Sequence, residues 1–420
     1  MSHSALERLI KRFKAVLDYR KSHPTQKSDE LFYHTMIAYY ERLAKAEKNG
    51  LPIAGATVQV PMEFFYAVDI APLQLEISTL NLQLEGENKV IECLAEATAY
   101  GVPPETCSTH RALIPMFQKG ELPPLSLVVS SNIVCDHGYK SGEALSRICN
   151  CPSFFIDRPY YRTDKGEAYL VQQLRNLVKF LEEVTVSKMD YHRFSHIIEV
   201  SDKTIRNLAE IYQLRKSAPS PIHNRDYFKP VLLEWSCLGT DEFLQYSEQC
   251  LGEIRENVAR GIGAAPNENY RILFLYLGPY FDMDILDWME KEHGAMVVMD
   301  PLSAWSFNEP MNPQQPIEGL AKKLYYRTVS RQFLGPLNPF IEETLRDAQE
   351  FKADGAIFFG NIGCNQGCTV SQPLRDALHK QLNIPTLIID VDNIDPTFSP
   401  TEEVKEKLEG FFELLKERRK

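Results

Sequence analysis

Residues 125–149 read LSLVVSSNIVCDHGYKSGEALSRIC. The stretch opens on a strand, Leu127 to Val134, whose LSLVV start shows no polar alternation. Such a strand is covered on both faces, which places it in a parallel sheet with helices on each side. Cys135 follows at once, then a helix to about Ile148 and a second strand, Phe154 to Ile156. Residues 356–378, AIFFGNIGCNQGCTVSQPLRDAL, have the same grammar: a strand Ala356 to Phe359, Cys364, a helix to about Leu382, and a strand Thr386 to Ile389. A strand–helix–strand alternation met twice predicts an α/β protein with two parallel sheets.

Working outward, residues 4–20 and 29–48 carry apolar positions at helical spacing and predict an N-terminal helical extension over residues 1–50. A first α/β domain then covers 51–222. It begins with a strand, a break at Pro61 and a short helix, and a second strand lies near Leu73 to Ile77. Its helix at 88–100 ends at Gly101 and Pro103, and a long helical stretch covers about 166–216. The Pro-rich segment 218–225 marks the boundary to a second α/β domain, 223–420. There the pattern gives a helix at 240–261, a strand Arg271 to Leu277, a helix after Asp282, a strand Ala295 to Met299, an irregular stretch at 301–315 and two more helices. The last helix opens on a capping box, Ser399-Pro-Thr-Glu402, and buries Val404, Leu408, Phe411, Phe412 and Leu415.

The 420 residues exceed one ordinary core, and their formal charge of −11 is spread without a basic block. Nucleic acid and anionic membrane are therefore not expected partners. No apolar run approaches the roughly 20 residues of a membrane span, and the N-terminus lacks the apolar core of a signal peptide, so a cytoplasmic protein is expected. In a reducing compartment the nine cysteines serve metal binding or packing rather than disulfides. No GxxxxGK[ST] loop, GxGxxG fingerprint, nucleophile elbow or HExxH motif occurs, so the chain is not expected to hydrolyse ATP itself.

Cys107, Cys135 and Cys364 each sit where a loop hands over to a helix. Thiolates facing helix amides have lowered pKa values and bind iron or zinc, and ligands of open α/β sheets collect beyond the carboxyl ends of the strands. If two sheets face one another across a cleft, the three sulfurs converge there; the competing reading is three small buried hydrophobes. No pair is spaced as a zinc knuckle. Three ligands to an iron-sulfur cluster would leave one iron open to substrate.

The segments ETCSTHR (105–111), SNIVCD (131–136), IGCNQGC (362–368), NIPTLIIDVDNIDP (383–396) and VPMEFFYAVDIAPLQLE (60–76) resemble the 2-hydroxyacyl-CoA dehydratase and benzoyl-CoA reductase family, from about residue 50 to the C-terminus. The resemblance implies two Rossmann-like domains, a cluster in the interdomain cleft held by Cys107, Cys135 and Cys364, and low-potential electrons from a separate dimeric ATP-hydrolysing iron-sulfur reductase. Extra thiols point to the family's double-cubane branch, in which two linked 4Fe-4S units take six thiolates and reduce small molecules. Cys368, one turn beyond Cys364, is the first candidate to complete that set, followed by Cys151, nearly interchangeable with Cys149, and Cys237; Cys93 and Cys250 read as packing residues. His110, His137 and Lys140 are candidate catalytic groups. Arg111, Asp136, Asn361, Asn365 and Gln366 are further neighbours of the ligands, whereas Asp390, Asp392 and Asp395 read as a structural turn.

Three readings follow. The first is a homodimeric double-cubane reductase of small molecules. The second is a dehydratase or ring-reductase subunit that places an acyl-CoA on a single 4Fe-4S cluster. The third is a zinc-binding or cluster-free scaffold.

Overall fold

The computed structural model describes residues 5–23, 26–305, 309–398 and 400–420. Two four-stranded sheets, each entirely parallel, organise the chain. The first contains β1 (Ile53–Ala56), β2 (Ala71–Gln74), β3 (Leu127–Ser131) and β4 (Ser153–Ile156) in the order β2-β1-β3-β4. The second contains β5 (Tyr270–Phe274), β6 (Ala295–Met299), β7 (Gly355–Asn361) and β8 (Thr386–Val391) in the equivalent order β6-β5-β7-β8. Both therefore reverse direction between their two central strands. Such a topological switch opens a crevice beyond the carboxyl ends of that pair. The expected α/β class with two parallel sheets is borne out.

The central strands β1, β3, β5 and β7 are buried along their length, as uninterrupted apolar runs require. Some elements differ from expectation. β3 ends at Ser131 rather than Val134, because Val134 turns to φ 63°. Around Leu73 to Ile77 the strand stops at Gln74, whose side chain accepts a 2.6 Å hydrogen bond from Ile77 N and starts a helix at Leu75–Leu80. The helical stretch at 166–216 is two helices, Asp164–Thr185 and Tyr191–Leu214. Asp190 caps the second by accepting from the amides of His192 and Arg193, each at 3.0 Å. The last helix, Thr401–Glu417, buries the expected face, and Ser399 of the expected capping box lies outside the described residues.

The N-terminal helices Ala5–Ser22 and Lys27–Asn49 lie against the first core through Leu6, Leu9, Met36, Tyr39 and Tyr40. Tyr39 Oη accepts from Gln74 N at 2.9 Å at the end of β2. Helix Asp241–Ala259 packs into this first core although it follows the Pro-rich segment, and so does helix Pro316–Tyr326 from far along the chain. The latter is pinned by ion pairing of Lys323 Nζ with Glu63 Oε1 at 2.5 Å, both groups buried. Arg158 donates to the carbonyls of Leu334 (2.7 Å) and Tyr325 (2.9 Å), a further bond from the first sheet to the later chain. Among the described residues no helix is long and apolar enough to cross a membrane.

Candidate metal centre

The crevices of the two sheets meet. One cavity of about 100 Å³ is lined by Val58 beyond β1, Val134 and Cys135 beyond β3, Tyr276 and Leu277 beyond β5, Asn361 at the end of β7 and Cys364 beyond it, with Cys107 between them. Cys107, Cys135 and Cys364 are the N-cap residues of helices Ser108–Gln118, Asp136–Ile148 and Asn365–Leu382. Three helix N-termini thus present their positive ends at one place. Val134, β-branched and left-handed at φ 63°, holds a costly conformation that turns the chain out of β3 directly into Cys135. Gly363 lets the opposing loops touch, since a Cβ there would sit 2.5 Å from Cys107 Cα.

The sulfurs feel one another. Burial, then the charge of Cys364, pushes the Cys107 thiol up to about 11, against a 3.5 Å hydrogen bond from Asn361 Nδ2. Burial, then the charges of Cys107 and Cys364, raises Cys135 well above the ordinary thiol value. Cys135 Sγ accepts from Gly138 N at 3.3 Å and lies 3.2 Å from His110 Nε2. Tyr276 Oη lies 2.6 Å from Cys364 Sγ, and burial followed by the Cys364 charge raises its pKa well above the ordinary phenol value. Among the described residues no three His, Cys, Asp or Glu side chains come close enough to hold a single metal ion.

Of the candidate catalytic groups, His110 and His137 line the cavity and Lys140 does not; its ammonium lies over the Tyr139 ring, 4.8 Å from the centroid, with the residue exposed. Burial, then the His137 charge, lowers His110 to about 3, so it is neutral; its Nδ1 lies 3.0 Å from Ser141 Oγ. Glu76, absent from the sequence-based candidates, lines the cavity too. Burial raises it to about 7 even though Val58 N and Gln74 Nε2 donate to it, and its Oε1 lies 3.8 Å from His110 Nε2. Trp235, Tyr276 and Asn393 also escaped the sequence reading as wall residues. Their positions depend on which loops meet, and only Asn393 stood in a motif.

The remaining cysteines lie apart. Cys368 is exposed, outside the cavity wall, with its Sγ donating to Asn361 O at 3.3 Å, although the charge of Cys364 reaches it. Cys151 precedes β4 and so sits at the amino edge of the sheet, opposite the cavity, beside Cys149. Cys237 is buried in the first core, 3.3 Å from Ser236 Oγ. Cys93 donates to Ala112 O at 3.4 Å, and Cys250 is packed near Tyr246. The structure does not bring Cys151 or Cys237 to the three clustered thiols. Asp136 and Asn365 are exposed. Arg111 and the aspartate turn instead fasten the site: Ser108 Oγ bonds Asp392, Arg111 Nη2 lies 3.8 Å from Asp395 Oδ2, and Asp392 Oδ1 accepts from the amides of Ile394 (3.0 Å) and Asp395 (2.9 Å).

With this geometry in view, comparison with known proteins is decisive. The model of the 2-hydroxyglutaryl-CoA dehydratase D-component family matches residues 57–415. The chain belongs to that family. Among curated relatives of this D-component-family chain, the lactoyl-CoA dehydratase alpha subunit of Anaerotignum propionicum is 23% identical over 74% of this chain and 73% of its own. The (R)-2-hydroxyisocaproyl-CoA dehydratase alpha subunit of Clostridioides difficile is 21% identical over 91% and 94%, and a benzoyl-CoA reductase subunit of Thauera aromatica is 22% identical over 78% and 80%. The resemblance read from the sequence motifs is thereby confirmed at family level.

On the reading proposed below, in which Cys364 holds an iron-sulfur core, Tyr276→Phe should retain the iron but lower the reduction potential, since a sulfur loses a hydrogen bond. Activity should fall about 10-fold, as for other groups that orient a metal ligand. Redox titration beside iron analysis checks both.

Proposed function

We propose that this chain holds a single 4Fe-4S cluster through Cys107, Cys135 and Cys364 and binds an acyl-CoA thioester beside it, as a cytoplasmic subunit of a dehydratase or ring reductase. The observation carrying this reading is the meeting of three N-cap thiols, from both sheets, around one cavity. Thiolates select iron-sulfur centres or zinc. Sulfurs from three separate helix N-termini that border one space suit a polynuclear core.

When bound, a cluster with three protein ligands supplies an open iron to polarise the thioester and a source of single electrons. The chain's own groups do the rest. Leu80, Leu277, Leu302, Val329 and Phe333 give the cavity an apolar wall, and a less polar surrounding strengthens charge interactions beside it. Tyr276 donates to the Cys364 sulfur, and neutral His110 presents Nε2 to Cys135. Glu76, with its pKa near 7, can take or give a proton at Oε1 beside His110.

A double cubane would need six thiolates. Cys368 lies near enough to Cys364 to feel its charge, but Cys151 and Cys237 stand elsewhere, which favours the single cluster. The relatives are named as subunits, so a related second subunit is proposed in place of a homodimer. Low-potential electrons are proposed to come from a separate ATP-hydrolysing iron-sulfur reductase, because the sequence has no phosphate-binding loop of its own. Anaerobic analysis should find about four irons and four sulfides per chain. About eight would restore the double cubane, and none would remove the cluster altogether.

A further inference from the structure

We propose that Cys149 and Cys151 form a redox-active dithiol, a modification site that closes to an intrachain disulfide by exchange with a small disulfide such as oxidised glutathione. This does not rest on the cluster reading. Cys149 ends helix Asp136–Ile148, and the turn that follows is a Schellman motif: Cys151 N donates to Ser146 O at 3.0 Å and Asn150 N to Arg147 O at 3.3 Å, with Asn150 left-handed at φ 48°. A left-handed residue coils the chain as tightly as a helical one, so the Cα atoms on either side of Asn150 stand about 5.5 Å apart, where those of a disulfide usually stand. Ser146 Oγ, donating to Cys151 O at 2.5 Å, ties the second cysteine back onto the last turn. Both cysteines are partly exposed, so a small disulfide can reach them.

The two thiols are not equivalent. Burial raises both; hydrogen bonding from the Leu125 backbone works against it at Cys149, whereas the Cys149 charge adds to it at Cys151 and takes that thiol up to about 11. Cys149 is therefore the attacking sulfur. Its thiolate displaces one glutathione thiolate from the oxidised dimer and is left as a mixed disulfide; the Cys151 thiolate then attacks Cys149 Sγ and displaces the second. Two electrons pass to the glutathione pair, and the two protons lost by the cysteines end on its two thiols. A bridge across one intervening residue closes a small, strained ring, and strained bridges are oxidising, so the pair stays a dithiol until its surroundings turn strongly oxidising. In a reducing compartment that is the behaviour of a sensor, not of a structural bond. The pair lies at the far end of the 13-residue helix that Cys135 caps, about 20 Å away, so its chemistry is separable from that of the candidate metal centre.

The test is anaerobic equilibration of the full chain in buffers running from reduced to oxidised glutathione, approached from both ends. Alkylation and mass spectrometry then follow the tryptic peptide 148–162, whose cysteines are these two. In reduced glutathione the peptide should carry a label on each cysteine. In oxidised glutathione it should lose both labels and a pair of hydrogens, and dithiothreitol should restore them. Cys151→Ser, which removes the second attack, should stop with glutathione held on Cys149. Labels that persist in oxidised glutathione, or a wild-type peptide that stops at a glutathione adduct, would overturn the inference, and so would a Cys151→Ser chain without an adduct on Cys149.

Discussion

Cys364→Ala should yield a folded chain that retains almost no iron. Cys364 is the one thiol of the three contributed by the second sheet, and its removal leaves Cys107 and Cys135 facing a wall without a donor. The fold should tolerate the change, because Cys364 caps its helix without any side-chain hydrogen bond to the backbone and is only partly buried. Iron should fall from about four per chain to below about one, with the visible absorption of the centre lost and far-ultraviolet circular dichroism unchanged. Cys135→Ala should do the same, whereas Cys250→Ala and Cys149→Ala should load fully. Cys368→Ala is the informative intermediate: full loading agrees with one cubane, and loss of half the iron agrees with two. Undiminished iron in Cys364→Ala would end the assignment.

Lys323→Met should destabilise the chain by about 3–5 kcal/mol, the usual cost of leaving one partner of a buried pair alone. Glu63 is fully buried, and among the described residues its Oε1 receives, apart from Lys323, the Ser201 hydroxyl at 2.7 Å, while Oε2 has no hydrogen-bond partner. Adding Glu63→Leu should recover most of the loss, since an apolar pair of similar volume commonly matches a buried ion pair. Urea denaturation of the two single variants and the double checks this, and additive losses would mean that the two groups do not act as a pair. The pair matters for the site because it fixes a helix of the later chain on the helix that follows β1.

Much of the candidate site was legible because sequence direction is spatial direction in a parallel sheet. A residue just after a buried strand lies at the carboxyl edge, which is how Cys135 and Cys364 announced themselves. The same rule, applied to Cys151, would have excluded it: a residue just before β4 must lie at the other edge. Its selection rested on counting thiols, and a count carries no direction. Cys237 ends helix Lys229–Cys237, whose buried face the sequence shows without saying which core receives it. Tyr276, Glu76 and Trp235 were illegible for another reason. A tyrosine just past a strand or a tryptophan in an apolar helix becomes a wall residue only when two distant loops meet, and nothing local encodes that meeting. The early end of the second strand and the division of the long helix were readable in principle, through Gln74 and Asp190 as caps.

The close approach at Gly363 has a mechanical corollary. Cys107 and Cys135 border the cavity from the first sheet's side and Cys364 from the second's, so an inorganic core seated among them would join the two sheets like a rivet. Damage to that core by oxygen would then be felt as loosened seams far from any iron, and amide exchange along the Ser108–Asp392 seam should quicken as soon as the rivet is drawn.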